Sequence, residues 1–506
     1  FNSLLRQRSV RLETYRLSPV SNAIDVDAAL ARIRKADLLV LPVFVKVRTS
    51  SGTVDMPSGL QPFLKKVADL DVPTVVVLFG NPYLAGPLSW ADAVLCAYGD
   101  TEPQVEAAAE ALFGEIDLCG KLPVTVSGRF ALGTGAMCSR DRLRYDDPVT
   151  AGFDTDTLRQ LDRIIERAIA DSAFPAAELA VVRDGMLIYN KSFGTFTYDR
   201  ASRPIDNTTM FDLASVSKVI GTTSAVMKLV DNGQLRLDDT VGMYLPPFAS
   251  GPKAAITIRQ LITHRAGFPP FRRFFLMCST ATAAIDSVFA TDLIAVPGDT
   301  TIYSDIGMIT MGKVVEKITG MPLEAFVRKE FFEPLGMTRT MYAPPESLAL
   351  QCAPTEIDTL WRKRLVQGQV HDENAALLNG VAGHAGLFST ASDLAIYMQM
   401  LLNKGAYGGT RYLKESTVVE FTRKYVQGQD RYLGWDMKSS TGSSAGSLFS
   451  PSSFGHLGFT GTSVWTDPDR RISVILLTNR VHPTRANQKI QRIRPAVHDM
   501  VIRALK

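Results

Sequence analysis

The chain has 506 residues, more than a single hydrophobic core usually organises, so two or three domains are predicted. Hydrophobic residues make up 46% and charged residues 21%, with a net charge of +4 and no Lys/Arg block, which excludes a disordered composition and suggests no nucleic-acid partner. No apolar run reaches the ~18 residues of a membrane span, so no span is predicted.

The first elements read as a parallel α/β domain over residues 1–130. Continuous apolar runs at Ala36–Val45, Pro73–Phe79 and Ala91–Tyr98 read as strands covered on both faces. Helical patterns at Pro62–Leu70 and Glu102–Phe113 alternate with them, which argues for a doubly wound sheet. Residues 131–153 are rich in Gly, Asp and Arg and read as a linker. The five cysteines, Cys96, Cys119, Cys138, Cys278 and Cys352, show no CxxC spacing and read as buried free thiols, with no metal site.

A second domain is predicted over residues 154–506. It opens with an amphipathic helix, Thr155–Asp171, and a hairpin, Glu178–Val182 with Met186–Phe193, turning at Asp184-Gly185. A helix over Val216–Asn232 ends at Gly233. Another helical pattern, Ile306–Ile318, follows Tyr303-Ser304-Asp305. Near the end, strands Ser463–Thr466 and Ile472–Thr478 form a pair, and a last helix, Gln488–Leu505, contains Pro495. Strands at both ends with a helical middle suggest one α+β domain whose sheet joins the termini.

Chemistry concentrates at three places. Ser215 and Lys218, three apart on a helix, share a face, so the amine can reach the hydroxyl. A lysine desolvated there can be neutral enough to activate the serine. Tyr303 beside a lysine ammonium would have a lowered pKa and could act as a base. His456-Leu457-Gly458 precedes a strand whose edge can offer the Phe459 N–H to an oxyanion. A second S-x-x-K, Ser250–Lys253, is discarded because its Gly-Pro centre cannot build the helix. Gly442-Ser443-Ser444-Ala445-Gly446 fits a nucleophile elbow but lies in a Ser/Gly stretch and reads as a loop. His371-Asp372-Glu373-Asn374 reads as a solvated loop, with a place at the mouth of the site as the alternative. His264 and His384 read as structural.

Serine-x-x-lysine, then tyrosine-x-polar, then basic-x-glycine, in this order, resembles the three motifs of the serine β-lactamase and penicillin-binding-protein superfamily. The phrases Leu261–Gly267 (LITHRAG) and Gly383–Asp393 (GHAGLFSTASD) add to the resemblance, which covers about 154–506. The tyrosine motif points to its class C-like branch, with D-alanyl-D-alanine carboxypeptidases and esterases. The usual Tyr-x-Asn has Asp305 in third place, and the usual Lys-Thr-Gly has His456 in first place. The resemblance implies an antiparallel sheet flanked by helices plus an all-helical subdomain, and no cofactor. It implies Ser215, Lys218 and Tyr303 as catalytic, with Lys218 or Tyr303 as the base. The Ser215 and Phe459 amides would form the oxyanion hole, with Asp305, His456 and Gly458 beside the acyl group. An uncharged His456 would weaken carboxylate capture unless Asp305 supports its charge, which favours esters or small peptides over penicillins.

Val75–Tyr83, Ala91–Gly99 and Gly114–Thr125 resemble the C-terminal α/β domain of family 3 glycoside hydrolases, the β-N-acetylglucosaminidase type. The match starts part-way into that domain. That family's catalytic barrel would precede it, so the chain reads as the C-terminal piece of a glycosidase–hydrolase fusion. A bacterial, extracytoplasmic cell-wall setting with a small-molecule or peptidoglycan-derived substrate would suit both halves by analogy. The leading expectation is a serine hydrolase forming an acyl-enzyme at Ser215, acting on an ester, a D-amino-acid peptide or a β-lactam. The competing one is a non-catalytic accessory module of a glycosidase. Glycoside hydrolysis by this chain would need paired carboxylates on an architecture that the sequence does not suggest.

Overall fold

The computed structural model describes residues 1–8, 12–18, 20–45, 56, 58–126, 130–138, 142–423 and 431–506. They form two compact units, Phe1–Arg144 and Tyr145–Lys506.

The first unit is built on three parallel strands in sequential order: β1 (Leu39–Val45), β2 (Thr74–Gly80) and β3 (Ala93–Cys96). Successive β2 side chains face opposite sides, and both sides are covered, which explains its unbroken apolar run. Val76 and Leu78 pack with Val43, Leu84 and Leu88, whereas Val77 and Phe79 pack with Ala108. Three helices accompany the strands: α1 (Ala23–Ile33), α2 (Gln61–Ala68) and α3 (Glu102–Leu112). Asn22 caps α1 through its side chain, and Thr101 with Gln104 forms a capping box on α3. This is the α/β class read from the sequence.

Within the segment read as a linker, residues 131–138 fold back on the preceding chain. Leu122 N–H donates to Thr134 O at 2.8 Å and Leu118 N–H to Cys138 O at 2.8 Å. Residues 139–141 of that segment lie outside the described residues. The five cysteines are free, but Cys119 and Cys138 are exposed and only Cys352 is buried, which corrects the expectation of buried thiols.

The second unit opens with α4 (Gln160–Ala170), preceded by a separate turn of helix, Thr155–Leu158. Its sheet draws on β4 (Ala176–Arg183), β5 (Met186–Gly194), β6 (Phe454–Leu457), β7 (Ser463–Asp467) and β8 (Ile472–Thr478), in the order β6-β7-β8-β4-β5. The pairing of β8 with β4, from Ile472↔Arg183 to Thr478↔Ala177, joins the two ends of the domain as expected. Leu179, Val181, Val474 and Leu476 share one face with Leu161 and Ile165 of α4 and with Val497 and Val501 of α8 (Ile490–Arg503, with Pro495 inside). Glu178, of opposite parity, points to the other face, where its carboxylate accepts the Ala391 N–H at 2.9 Å. There the helix α7 (Ala391–Leu402) packs on β8 and β4. Between the sheet halves lies a helical region that contains α5 (Ser224–Asp231) and α6 (Asp305–Thr319).

The continuous helix expected over Val216–Asn232 is three pieces: a 3-10 turn at Ala214–Val216, a π-helical turn at Lys218–Thr223, and α5. Hydroxyl side chains compete for its carbonyls. Thr223 Oγ1 donates to Lys218 O at 2.8 Å, and Ser224 Oγ donates to Val219 O at 3.1 Å and Ile220 O at 2.8 Å. Among the described residues, no helix is long and apolar enough to cross a membrane.

Candidate active site

Ser215 lies in the 3-10 turn, where residues three apart eclipse one another. Lys218 Nζ therefore reaches Ser215 Oγ at 2.8 Å. Ala214 just before it has φ +46°, a backbone state that costs an alanine ~1–3 kcal/mol. The buried Asp212 holds it there, accepting the Ala214 N–H at 2.8 Å on Oδ1 and the His371 N–H at 2.6 Å on Oδ2.

The Lys218 side chain is 1% exposed, and its ammonium spends its donors on three neighbours. Besides Ser215 these are His384 O at 3.0 Å and Asp305 Oδ1 at 2.7 Å. Burial works against the charge, but Asp305 and Tyr303 outweigh it and raise the lysine pKa above its ordinary value. The expectation of a near-neutral, desolvated lysine is corrected: Lys218 is an ion-paired ammonium at rest. Behind it, His384 Nε2 lies 2.9 Å from Asp372 Oδ1. Burial would raise the Asp372 carboxyl, but His384, and after it Lys218, hold it well below the usual range. Asp305, Asp372 and His384 present ligand atoms within 4.8 Å of one another, a spacing that could hold a cation. The Lys218 ammonium already sits against Asp305, so we read the cluster as a counter-ion cage for the lysine.

Tyr303 is placed by the start of α6. Ser304 caps that helix, accepting the Gly307 N–H at 3.2 Å, and the Ser304 N–H donates to His264 Nδ1 at 3.1 Å. The His264 ring packs 4.5 Å from that of Tyr303, and Lys218 Nζ lies 5.0 Å from the phenol centroid. Accepting at Nδ1 suits a neutral His264, and burial followed by Arg431 and Lys218 pushes its pKa well below the ordinary value.

His456 on β6 has its ring centroid 6.1 Å from that of Tyr303 and is 3% exposed. Burial first, then Arg431 and Lys218, depress its pKa strongly, so it is neutral. Asp305 pairs with Lys218 and gives His456 no charge, contrary to the expected support. Gly458 is forced by packing: a Cβ there would lie 2.4 Å from Leu213 O and 2.0 Å from Thr462 Oγ1. The turn that follows is stitched to the nucleophile segment, with Thr460 Oγ1 donating to Asp212 O at 2.7 Å and Thr462 Oγ1 to Leu213 O at 2.9 Å. The Phe459 ring remains 47% exposed.

The seven residues singled out from the sequence thus fall into two groups. Ser215, Lys218, Tyr303 and Asp305 are linked by direct contacts, and His456, Gly458 and Phe459 lie on or beside β6. The other candidates fall elsewhere: Lys253 Nζ donates to Phe289 O at 2.5 Å, and Ser444 sits in a turn followed by no helix. The solvated-loop reading of His371–Asn374 is corrected. His371 Nε2 lies 3.0 Å from Glu356 Oε2, Asp372 caps a helix at Glu373–Leu377, and Asn374 Oδ1 accepts the Phe275 N–H at 3.2 Å.

Sequence reasoning missed Arg431. Its guanidinium carbon stands 4.9 Å from the Tyr303 ring centroid. Its Nη2 lies 3.6 Å from Asp436 Oδ1, while its buried Nη1 has no hydrogen-bond partner among the described residues. No motif frames this arginine, so only the fold reveals it.

Residues 161–498 match the family model described as Beta-lactamase, and residues 9–154 match that of the glycosyl hydrolase family 3 C-terminal domain. A protein of Escherichia coli (strain K12), provisionally named a D-alanyl-D-alanine carboxypeptidase, is 32% identical over 388 residues, covering 68% of this chain and 88% of its own. The octameric penicillin-binding protein homologue from Pyrococcus abyssi superposes with a TM-score of 0.53 at 24% identity, over 68% of this chain and 77% of that one. A class C β-lactamase does so at 0.57 and 18%, over 70% and 97%. These two likenesses speak for the fold of the second unit.

Proposed function

The chain belongs to the β-lactamase family of serine hydrolases, and on that premise we propose that Ser215 is its nucleophile and that it turns over acyl substrates carrying a carboxylate, such as D-amino-acid peptides. The observation that carries the reading is the Lys218 Nζ–Ser215 Oγ contact of 2.8 Å. Ser215 Oγ attacks the carbonyl, its proton leaves through Lys218, and the acyl-enzyme is then hydrolysed by water. Because Lys218 is already an ammonium, it must pass a proton on as it accepts one. Tyr303 and Asp305, both beside it, are the acceptors available. The Ser215 and Phe459 amides, which no other group takes among the described residues, would receive the oxyanion. The carboxylate preference rests on Arg431, the cation beside Tyr303 that the neutral His456 does not supply.

The test is intact-mass analysis after exposure to a fluorophosphonate, paired with steady-state kinetics on an activated ester. A single adduct should map to Ser215, and Ser215→Ala should lower kcat by about 10³ or more. Near-normal turnover by Ser215→Ala, or an adduct elsewhere, would remove the assignment. Ser250→Ala and Ser444→Ala should leave turnover unchanged.

A further inference from the structure

The last helix carries a cation in an unusual setting. Arg494 on α8 is 6% exposed, and no ion pair reaches it among the described residues. Its Nη2 donates to Gly458 O at 2.8 Å and to Thr462 O at 2.9 Å, and its Nε is buried without a partner. Burial lowers its pKa to about 9. A buried, unpaired charge is expensive, and an apolar side chain of similar volume would fill the space without that penalty. What the guanidinium secures in return is the two carbonyls that bracket the turn between β6 and β7. A second buried arginine, Arg480, holds the same turn from the other side. Its Nε donates to Phe459 O at 2.7 Å, its Nη1 donates to Arg485 O at 2.9 Å and Asn487 O at 2.6 Å, and it lies 4.5 Å from the Phe459 ring centroid.

Both contacts bear on one peptide unit. Gly458 O and the Phe459 N–H belong to the same planar amide, and in a trans peptide they point in opposite directions. A guanidinium that fixes Gly458 O from within therefore turns the Phe459 N–H away from itself. Gly458 itself is pressed against Leu213 O, two residues from Ser215. Donation to a carbonyl also polarises its amide, so the N–H on the far side becomes a stronger donor.

We propose that Arg494 and Arg480 are positioning residues for the oxyanion hole, holding the Gly458–Phe459 peptide so that its N–H faces the developing oxyanion. This rests on the reading of Ser215 and Phe459 given above. Neither arginine touches the substrate. They act by orienting and polarising a backbone donor before the reaction starts, so the contribution should appear in the acyl-transfer step and not in substrate binding.

The full-length chain tests this with Arg494→Lys, Arg494→Met and Arg480→Met, each compared with wild type for kcat and KM on a p-nitrophenyl ester. A boronic acid adds a second readout, since its tetrahedral serine adduct places an oxygen where the oxyanion forms. Removing an oxyanion donor outright costs about 10²–10³ in kcat, so misaligning one should cost about 10- to 100-fold. KM should change by less than about threefold, and boronate affinity should fall in step with kcat. Arg494→Lys, which can still reach one carbonyl, should keep more activity than Arg494→Met. A corresponding thionoester gives a readout that general loosening would not move. Wild type should prefer the oxoester, and the arginine variants should narrow that preference. Folded variants with wild-type kcat, boronate affinity and oxo/thiono ratio would overturn the proposal. If the Arg494 variants do not fold, Arg480→Met decides it by the same criteria. Fluorophosphonate labelling of wild type separates the two levels: no adduct on Ser215 sinks the underlying reading, whereas labelling with unaffected arginine variants sinks only this one.

Discussion

His456 stands where a lysine would attract a substrate carboxylate, and burial denies it the charge that this task needs. Arg431 meets the need from another element, with an unpartnered Nη1 beside Tyr303. Lys218, the other cation nearby, is neutralised by Asp305 at 2.7 Å and so offers little net attraction. If Arg431 anchors the carboxylate, Arg431→Ala should raise KM for a short D-alanyl-D-alanine peptide about 10- to 100-fold, the equivalent of losing one charge-assisted hydrogen bond of ~1.5–3 kcal/mol. KM for a neutral p-nitrophenyl ester should stay within about threefold. Equal effects on both substrates would show that Arg431 only props Tyr303. The sequence made Ser215, Lys218 and Tyr303 legible because their chemistry is tied to short spacings. It could not show Arg431, which the folded sheet edge brings to Tyr303 with no local pattern.

At the scale of elements, the site is a seam between the nucleophile segment and the turn after β6. Two threonine hydroxyls cross it, from Thr460 to Asp212 O and from Thr462 to Leu213 O. Gly458 is the closest approach, and a Cβ there would meet the Leu213 carbonyl at 2.4 Å, far inside contact distance. Gly458→Ala must therefore push β6 away from Ser215. We expect a loss of about 10² or more in kcat with the fold retained, comparable to losing an oxyanion donor. Circular dichroism and acylation kinetics together check this, and wild-type kcat in Gly458→Ala would show that the seam does not set the geometry. Thr462→Val, which loses a single hydrogen bond, should cost about 1 kcal/mol of stability and a smaller share of rate. The sequence located β7 and β8 and the Tyr303 helix well, because hydrophobic periodicity and capping are local signals. It missed the 3-10 and π turns around Ser215, because the hydroxyls of Thr223 and Ser224 reshape a helix whose apolar pattern is otherwise ordinary.

For the whole molecule, the two units raise separate expectations. Residues 9–154 match a domain that accompanies a glycosidase barrel, and no such barrel exists among the described residues. The purified chain should not turn over aryl N-acetylglucosaminides; turnover that survives Ser215→Ala would overturn that. The second unit should be acid-sensitive for a traceable reason. Burial, the largest cause in each case, depresses the pKa of His264, His456, His482 and His498, the last to about 4. A base with a depressed folded pKa binds fewer protons when folded than when unfolded, between its folded value and the unfolded ~6.5. Stability from these groups is therefore fully present above pH ~6.5 and is lost as pH falls through that window. Two buried acids oppose them. Burial raises Glu178 well above its ordinary value and Asp393 to about 6, so each gains stability as pH falls toward the unfolded carboxyl pKa of ~4. Four groups against two give a net loss. The melting temperature of the Tyr145–Lys506 unit should fall from pH 6.5 to 4.5, by scanning calorimetry. His456→Gln, which removes one titrating site next to Tyr303, should reduce that fall, while Asp393→Asn should deepen it. A melting temperature that is flat or rises toward pH 4.5 would show that the histidines are not held neutral by the fold. That outcome would also return His456 to the set of cations available to a carboxylate substrate.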